Sequence, residues 1–146
     1  MSIAQRTAQT TWEGSLASGL GRIQVGSGAL EGLEVTWAAR TEQPGGKTSP
    51  EELAAAAHSS CFAMALALRL AERHTPPQRL RVEATVVLDE VDGVPTIVSS
   101  ALRVHGQVSG VDSATFQESV DEAATLCPVS RLFAGAHVTV EASLDQ

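Results

Sequence analysis

The chain has 146 residues, the length of one ordinary domain, so a single domain over residues 1–146 is expected. Hydrophobic residues make up 43% and charged residues 18%, with mean hydropathy near zero at +0.04, which excludes disordered and fibrous classes. A formal net charge of −7, one lysine (Lys47) and 3% aromatics with no Tyr argue against a nucleic-acid partner, which needs cationic clusters and stacking rings.

Met1 to Trp12 carries no apolar run of the kind that directs secretion, so a cytoplasmic protein is expected. The longest uncharged stretch, Leu53 to Leu68, has 16 residues, short of the ~20 that a membrane span needs, and no membrane association is expected. Two cysteines cannot build a disulfide scaffold or a four-thiolate zinc site, but they can form a redox pair.

Three short strands are predicted near Gln9–Gly14, Gly21–Val25 and Leu33–Ala39, the third with Leu33, Val35, Trp37 and Ala39 on one face. Ser49-Pro50-Glu51-Glu52 signs a helix start, with Ser49 as cap, Pro50 first in the helix and Glu52 reaching back to the cap. That helix is expected to end near His74, ahead of Pro76-Pro77. It has no polar stripe, which predicts a central core helix covered on all sides. From Leu80 to Leu88 apolar residues alternate, and Asp92-Gly93 supplies a hairpin turn into a strand reaching about Val108. Asp112 or Ser113 caps a helix with Phe116, Val120, Ala123 and Cys127 on one stripe. Pro128 restarts a short helix, and a last strand covers about His137–Ala142. Strands joined by hairpins favour an α+β fold.

Cys61, in the middle of the long helix, and Cys127, 66 residues later on an apolar stripe, each read alone as buried structural thiols. Together on core-facing helices they suggest a thiol–disulfide couple. Cys61 lies ~16 Å from the start of its helix, so the helix dipole cannot acidify it and a cation must come from elsewhere. Arg40 is a candidate cation, although on sequence alone a solvated strand-end Arg is the favoured reading. Glu51 needs no role beyond favouring the helix start. His58, one turn before Cys61, reads as a packing or hydrogen-bonding histidine rather than a general base. His74, His105 and His137 form no cluster with metal-ligand spacing. Gly45-Gly46-Lys47-Thr48 lacks the upstream glycine of a phosphate loop.

Taken together, these residues resemble the OsmC/Ohr family of thiol-dependent hydroperoxide reductases, closest to its osmotically inducible OsmC branch. The resemblance runs through Thr11-Trp12-Glu13-Gly14, Thr48-Ser49-Pro50-Glu51-Glu52-Leu53 and Ala56-Ala57-His58-Ser59-Ser60-Cys61-Phe62-Ala63-Met64-Ala65-Leu66. It continues through Leu88-Asp89-Glu90-Val91-Asp92, Val111-Asp112-Ser113-Ala114-Thr115-Phe116 and Cys127-Pro128-Val129-Ser130. It implies antiparallel sheets wrapped around long central helices in an intertwined homodimer. It also implies a peroxidase without metal, haem or flavin, which reduces organic hydroperoxides and is regenerated by a dithiol.

By the same resemblance Cys61 is the peroxidatic thiol, Cys127 the resolving thiol, Arg40 the cation that holds Cys61 as thiolate, and Glu51 the carboxylate that orients Arg40. Attack on the peroxide would leave a sulfenic acid on Cys61, and Cys127 would condense with it to a disulfide. Glu51 and Cys61 are about 15 Å apart along one helix and some 80° apart around it, so they cannot touch. Either Arg40 spans that gap within one chain, or Arg40 and Glu51 serve Cys61 of the partner subunit; the bare apolar helix favours the second. The rival from another class is a non-catalytic dimer that binds an apolar small molecule or only senses redox state.

Overall fold

The computed structural model describes residues 1–145. The chain forms two compact units that divide after Leu53. In the first, β1 (Ala8–Glu13), β2 (Leu20–Val25) and β3 (Leu33–Val35) make an antiparallel sheet with Ala8 opposite Val25 and Gly21 opposite Val35. Gly21 and Ile23 of β2 are buried, whereas every residue of β1 is exposed.

The third strand is shorter than its alternation predicts. It stops at Val35, and Trp37 and Ala39 belong instead to a short helix, α1 (Trp37–Thr41). Thr36 accounts for the change. Its hydroxyl accepts the Ala39 N–H at 3.0 Å, a cap that turns the backbone out of the strand straight after Val35, the last residue paired with β2. Arg40 therefore sits in the last turn of α1, not at a strand end.

The long helix α2 (Pro50–Glu72) starts where the sequence signs it, with Ser49 Oγ accepting the Glu52 N–H at 3.2 Å. The Glu52 carboxylate does not reach back to the cap; it takes the Thr48 hydroxyl at 2.7 Å. At the far end His74 adopts a left-handed backbone (φ 61°). Its N–H bonds the Ala71 carbonyl and the Thr75 N–H the Leu70 carbonyl, closing the last turn.

In the second unit, β4 (Arg79–Val91) and β5 (Val94–Gln107) form the expected hairpin, with Asp92 (φ 52°) and Gly93 (φ 77°) as its left-handed turn. Asp112 is the residue that caps α3 (Ser113–Leu126), accepting the Thr115 N–H at 2.7 Å. Pro128 opens α4 (Pro128–Leu132), and β6 (His137–Leu144) follows. β6 runs parallel to β5, so this sheet is mixed rather than wholly antiparallel. The passage through α3 and α4 returns the chain to the edge of β5 in the same direction, which a hairpin cannot do.

One face of this sheet carries the core. Phe62, Leu66 and Leu70 of α2 meet Leu102 and Val104 of β5 and Phe116, Val120 and Ala123 of α3. Gly106 must lack a side chain, because a Cβ there would stand 2.6 Å from the Phe116 ring. The expected all-round burial of α2 is not found within one chain. His58, Phe62, Leu66 and Leu70 are buried along one stripe, while Met64 and Leu68 remain 74% and 54% exposed. By length and composition alone α2 could cross a membrane, with mean hydropathy 1.4 over its most apolar window, but its buried stripe is fitted to the sheet and α3.

Candidate active site

Two constellations hold the four residues singled out from the sequence. The first lies within the Met1–Leu53 unit. The Thr48 N–H donates to the Glu34 carbonyl at 2.8 Å, which ties the approach to α2 against β3 and sets Glu51 opposite α1. Arg40 then binds Glu51 along one edge of its guanidinium: Nη2 donates to Oε1 at 2.7 Å, and Nε to Oε1 at 3.0 Å and Oε2 at 3.1 Å. The carboxylate is nearly buried, whereas the Arg40 side chain keeps 30% exposure. The Arg40 guanidinium also stands 6.0 Å from the Trp37 ring centroid. Glu51 thus fixes the plane of a cation that still has a free edge.

The second constellation carries both cysteines. Cys61, half-buried on α2, packs against the core cluster that includes the fully buried Cys127 between α3 and α4. Both are free thiols. Each thiol bears on the acidity of the other, and the Val129 N–H favours the thiolate form of both. Burial pushes the Cys61 thiol up; the Val129 N–H opposes this, and Cys127 adds to the rise. Burial also acts to raise Cys127, but the Ser130 hydroxyl, the Ser130 N–H, Cys61 and the Val129 N–H together bring it below the ordinary range. On its own chain Cys127 is therefore the more readily ionised of the two thiols, and none of the groups acting on Cys61 is a cation.

His58 lies one turn before Cys61 on α2, fully buried and stacked on Phe133 with centroids 5.0 Å apart. Its Nδ1 is 2.6 Å from Ser100 Oγ and its Nε2 is 2.8 Å from Ser130 Oγ. The sequence points to a hydrogen-bonding histidine but not to either serine, because both partners arrive through tertiary packing, from β5 and α4. Among the described residues no three His, Cys, Asp or Glu side chains converge as a metal-ligand set. A surface hollow of about 280 Å³ bounded by Arg79, Arg81, His105, Gln107 and Asp145 opens on the face of the second sheet that points away from the thiols.

A half-buried thiol packed against a core cluster that holds a second, buried thiol, on an α+β scaffold, defines a protein suited to thiol–disulfide chemistry. Residues 43–143 match the OsmC-like protein family, and the chain belongs to it. It is 37% identical over 139 residues to peroxiredoxin OsmC of Escherichia coli (strain K12), covering 95% of this chain and 96% of that protein, with the same figures for peroxiredoxin OsmC of Shigella flexneri. Among solved structures, the organic hydroperoxide resistance protein OhrB of Bacillus subtilis is 28% identical over 95% of this chain and 98% of its own, with a TM-score of 0.65. An organic hydroperoxide resistance protein OsmC from Legionella pneumophila shares the fold at TM-score 0.75 over both full chains, at 20% identity.

Proposed function

We propose that this protein is a cysteine-based peroxide reductase that turns organic hydroperoxides into alcohols. The observation that carries the reading is the packing of half-buried Cys61 against the core cluster that contains buried Cys127. It is supported by the identity to peroxiredoxin OsmC along nearly the whole chain and by the likeness to OhrB. The family match crosses both units, which supports treating residues 1–146 as one OsmC-like domain.

Accessibility assigns the roles of the thiols. A peroxide can reach Cys61 but not Cys127, which is 0% exposed. The Cys61 thiolate attacks the peroxide oxygen, the O–O bond breaks, and the alkoxide leaves and takes up a proton as the alcohol, with a sulfenic acid left on Cys61. The Cys127 thiolate then attacks that sulfur; the S–O bond breaks, hydroxide leaves as water, and an intrachain disulfide remains. An external dithiol reduces it, which suits a cytoplasmic protein in contact with a reducing thiol pool.

This order requires a cation at Cys61 that its own surroundings lack. Arg40 of the partner subunit, held by its own Glu51, supplies it in a homodimer with composite sites. The uncovered Met64–Leu68 side of α2, which is apolar, and the exposed strand β1 with its Trp12 are surfaces that a second copy would cover. An apolar wall from that copy favours alkyl hydroperoxides, since each buried CH₂ adds about 0.8 kcal/mol. Neither nucleic acid nor a membrane has a part in this reading.

The test is consumption of a panel of alkyl hydroperoxides with several dithiols. Turnover that disappears in Cys61→Ser supports the enzyme, whereas saturable binding without turnover establishes the rival, a small-molecule-binding or redox-sensing dimer.

A further inference from the structure

On the outward face of the second sheet, Arg79 and Arg81 of β4 stand directly opposite Gln107 and His105 of β5. Asp145, just past β6, completes the rim of the hollow of about 280 Å³ that these residues bound, and its N–H is tied to the Gly106 carbonyl at 2.7 Å. We propose that this hollow binds a small phosphate monoester with a hydroxylated body, independently of the thiols on the other side of the sheet.

The charges on this face are segregated. Midway along the sheet Arg103 lies between Glu83 of β4 and Glu141 of β6, one cation between two carboxylates. At the start of β4 that balance is lost, because the cross-strand neighbours of Arg79 and Arg81 are an amide and an imidazole. As alternate residues of one strand the two arginines leave the same face, with Cα atoms on the order of 7 Å apart. Among the described residues neither forms an ion pair, whereas Arg22, Arg40, Arg69 and Arg73 all do. In a chain of net charge −7 this is a local excess of positive charge, and two guanidinium groups this close repel until an anion joins them. The strands beneath are held in place, since Val104 is buried and Leu80 and Val82 pack against the core from the opposite face.

Each lining group narrows the choice of ligand. Two guanidinium groups offer forked N–H donors to oxygen and match a phosphoryl dianion in charge. The Nδ1 of His105 is engaged with Ser143 Oγ at 2.7 Å, so Nε2 is the ring nitrogen left for a ligand. In the tautomer in which the Ser143 hydroxyl donates, Nε2 carries the proton and adds a third donor group. Asp145 repels a second acidic group, which disfavours dicarboxylates and diphosphates, and it accepts from a hydroxyl instead. Gln107 both donates and accepts. The volume is close to the lower end of ligand pockets, about 300 Å³, which suits a phosphate on a few carbons and excludes a dinucleotide.

The experiment is calorimetric titration of the full chain, in phosphate-free buffer of low ionic strength, with glycerol 3-phosphate, inorganic phosphate, glycerol and succinate. Glycerol 3-phosphate should bind saturably. Inorganic phosphate should bind more weakly because it lacks the body that Asp145 and Gln107 contact, succinate at least about tenfold more weakly, and glycerol not at all. Arg79→Ala and Arg81→Ala should each weaken glycerol 3-phosphate about tenfold, the loss of one charge-assisted contact. Asp145→Asn should narrow the preference over succinate, and Arg103→Ala, whose charge two carboxylates already balance, should stay within about threefold of the parent. All four variants replace exposed side chains, and their consumption of an alkyl hydroperoxide should match the parent's. The proposal is overturned by any of four results: no saturable binding, succinate bound as well as glycerol 3-phosphate, parental affinity in both Arg79→Ala and Arg81→Ala, or a loss in Arg103→Ala as large as theirs. Peroxide consumption that falls in step with ligand affinity would overturn the independence from the thiols. A parent protein that binds glycerol 3-phosphate but consumes no peroxide would count against the peroxidase reading and leave this site standing.

Discussion

Removing the Arg40 guanidinium is the most informative perturbation of the proposed site. A unit positive charge ~4 Å from a thiolate contributes about 4 kcal/mol at an effective dielectric of ~20, a ceiling near three pKa units. The Arg40 side chain keeps 30% exposure, so water screens much of this, and about one unit is expected in practice. Arg40→Ala should therefore raise the Cys61 midpoint, read in a Cys127→Ser background, by about one unit and cut the rate of peroxide reaction about tenfold. Glu51→Gln keeps an acceptor for Arg40 but removes the charge behind its 2.7 Å bond, and about a threefold loss is expected from the looser cation. Because Glu51 acts only through Arg40, the double variant should be no slower than Arg40→Ala alone. The assay is stopped-flow consumption of an alkyl hydroperoxide by the pre-reduced proteins, with circular dichroism confirming that Arg40→Ala has not unfolded around its nearly buried carboxylate. Losses that multiply in the double variant, or a Cys61 midpoint unchanged by Arg40→Ala, would refute the reasoning.

Other outcomes follow from the same geometry. Mixed dimers of Cys61→Ser and Arg40→Ala subunits, made by co-refolding, should regain activity above the Arg40→Ala homodimer, because one site in each then holds both groups; no gain would place the site within a single chain. Met64→Asp or Leu68→Asp puts a charge on the uncovered side of α2 and should shift the protein to monomer in sedimentation velocity, while a dimer as stable as the parent's would show that this side is not the interface. The lowered pKa of buried His58 means that the unfolded chain binds the proton more readily than the folded one. Its contribution is fully present above the unfolded value of about 6.5 and is lost as pH falls through that value toward the folded one, so denaturant midpoints should drop across that window and drop less in His58→Gln.

Features set by neighbours in sequence were readable before the structure was known. Ser49-Pro50 marks the start of α2, Asp92-Gly93 the hairpin, and Phe116, Val120, Ala123 and Cys127 the buried stripe of α3, because caps, turns and helical periods are local. The third strand was overextended because Val35, Trp37 and Ala39 alternate as well at the start of a short helix as in a strand, and only the Thr36 cap decides between them. The parallel placement of β6 and the bare side of α2 depend on what lies far away in the chain or outside it. The Arg40–Glu51 pair, eleven residues apart across a loop, was suggested by family resemblance and not by spacing. The serines that grip His58 lie 42 and 72 positions from it and left no mark that a sequence pattern could carry.

The account turns on Cys61 as the attacking sulfur and Cys127 as the resolving one, although in a single chain Cys127 is the more readily ionised thiol. Intact-mass analysis of each single variant after one equivalent of an alkyl hydroperoxide, with dimedone present, separates the roles most directly. Cys127→Ser should consume the equivalent and carry one adduct on Cys61, and Cys61→Ser should leave the peroxide untouched. An adduct on Cys127 in Cys61→Ser, with none on Cys61 in Cys127→Ser, would contradict it.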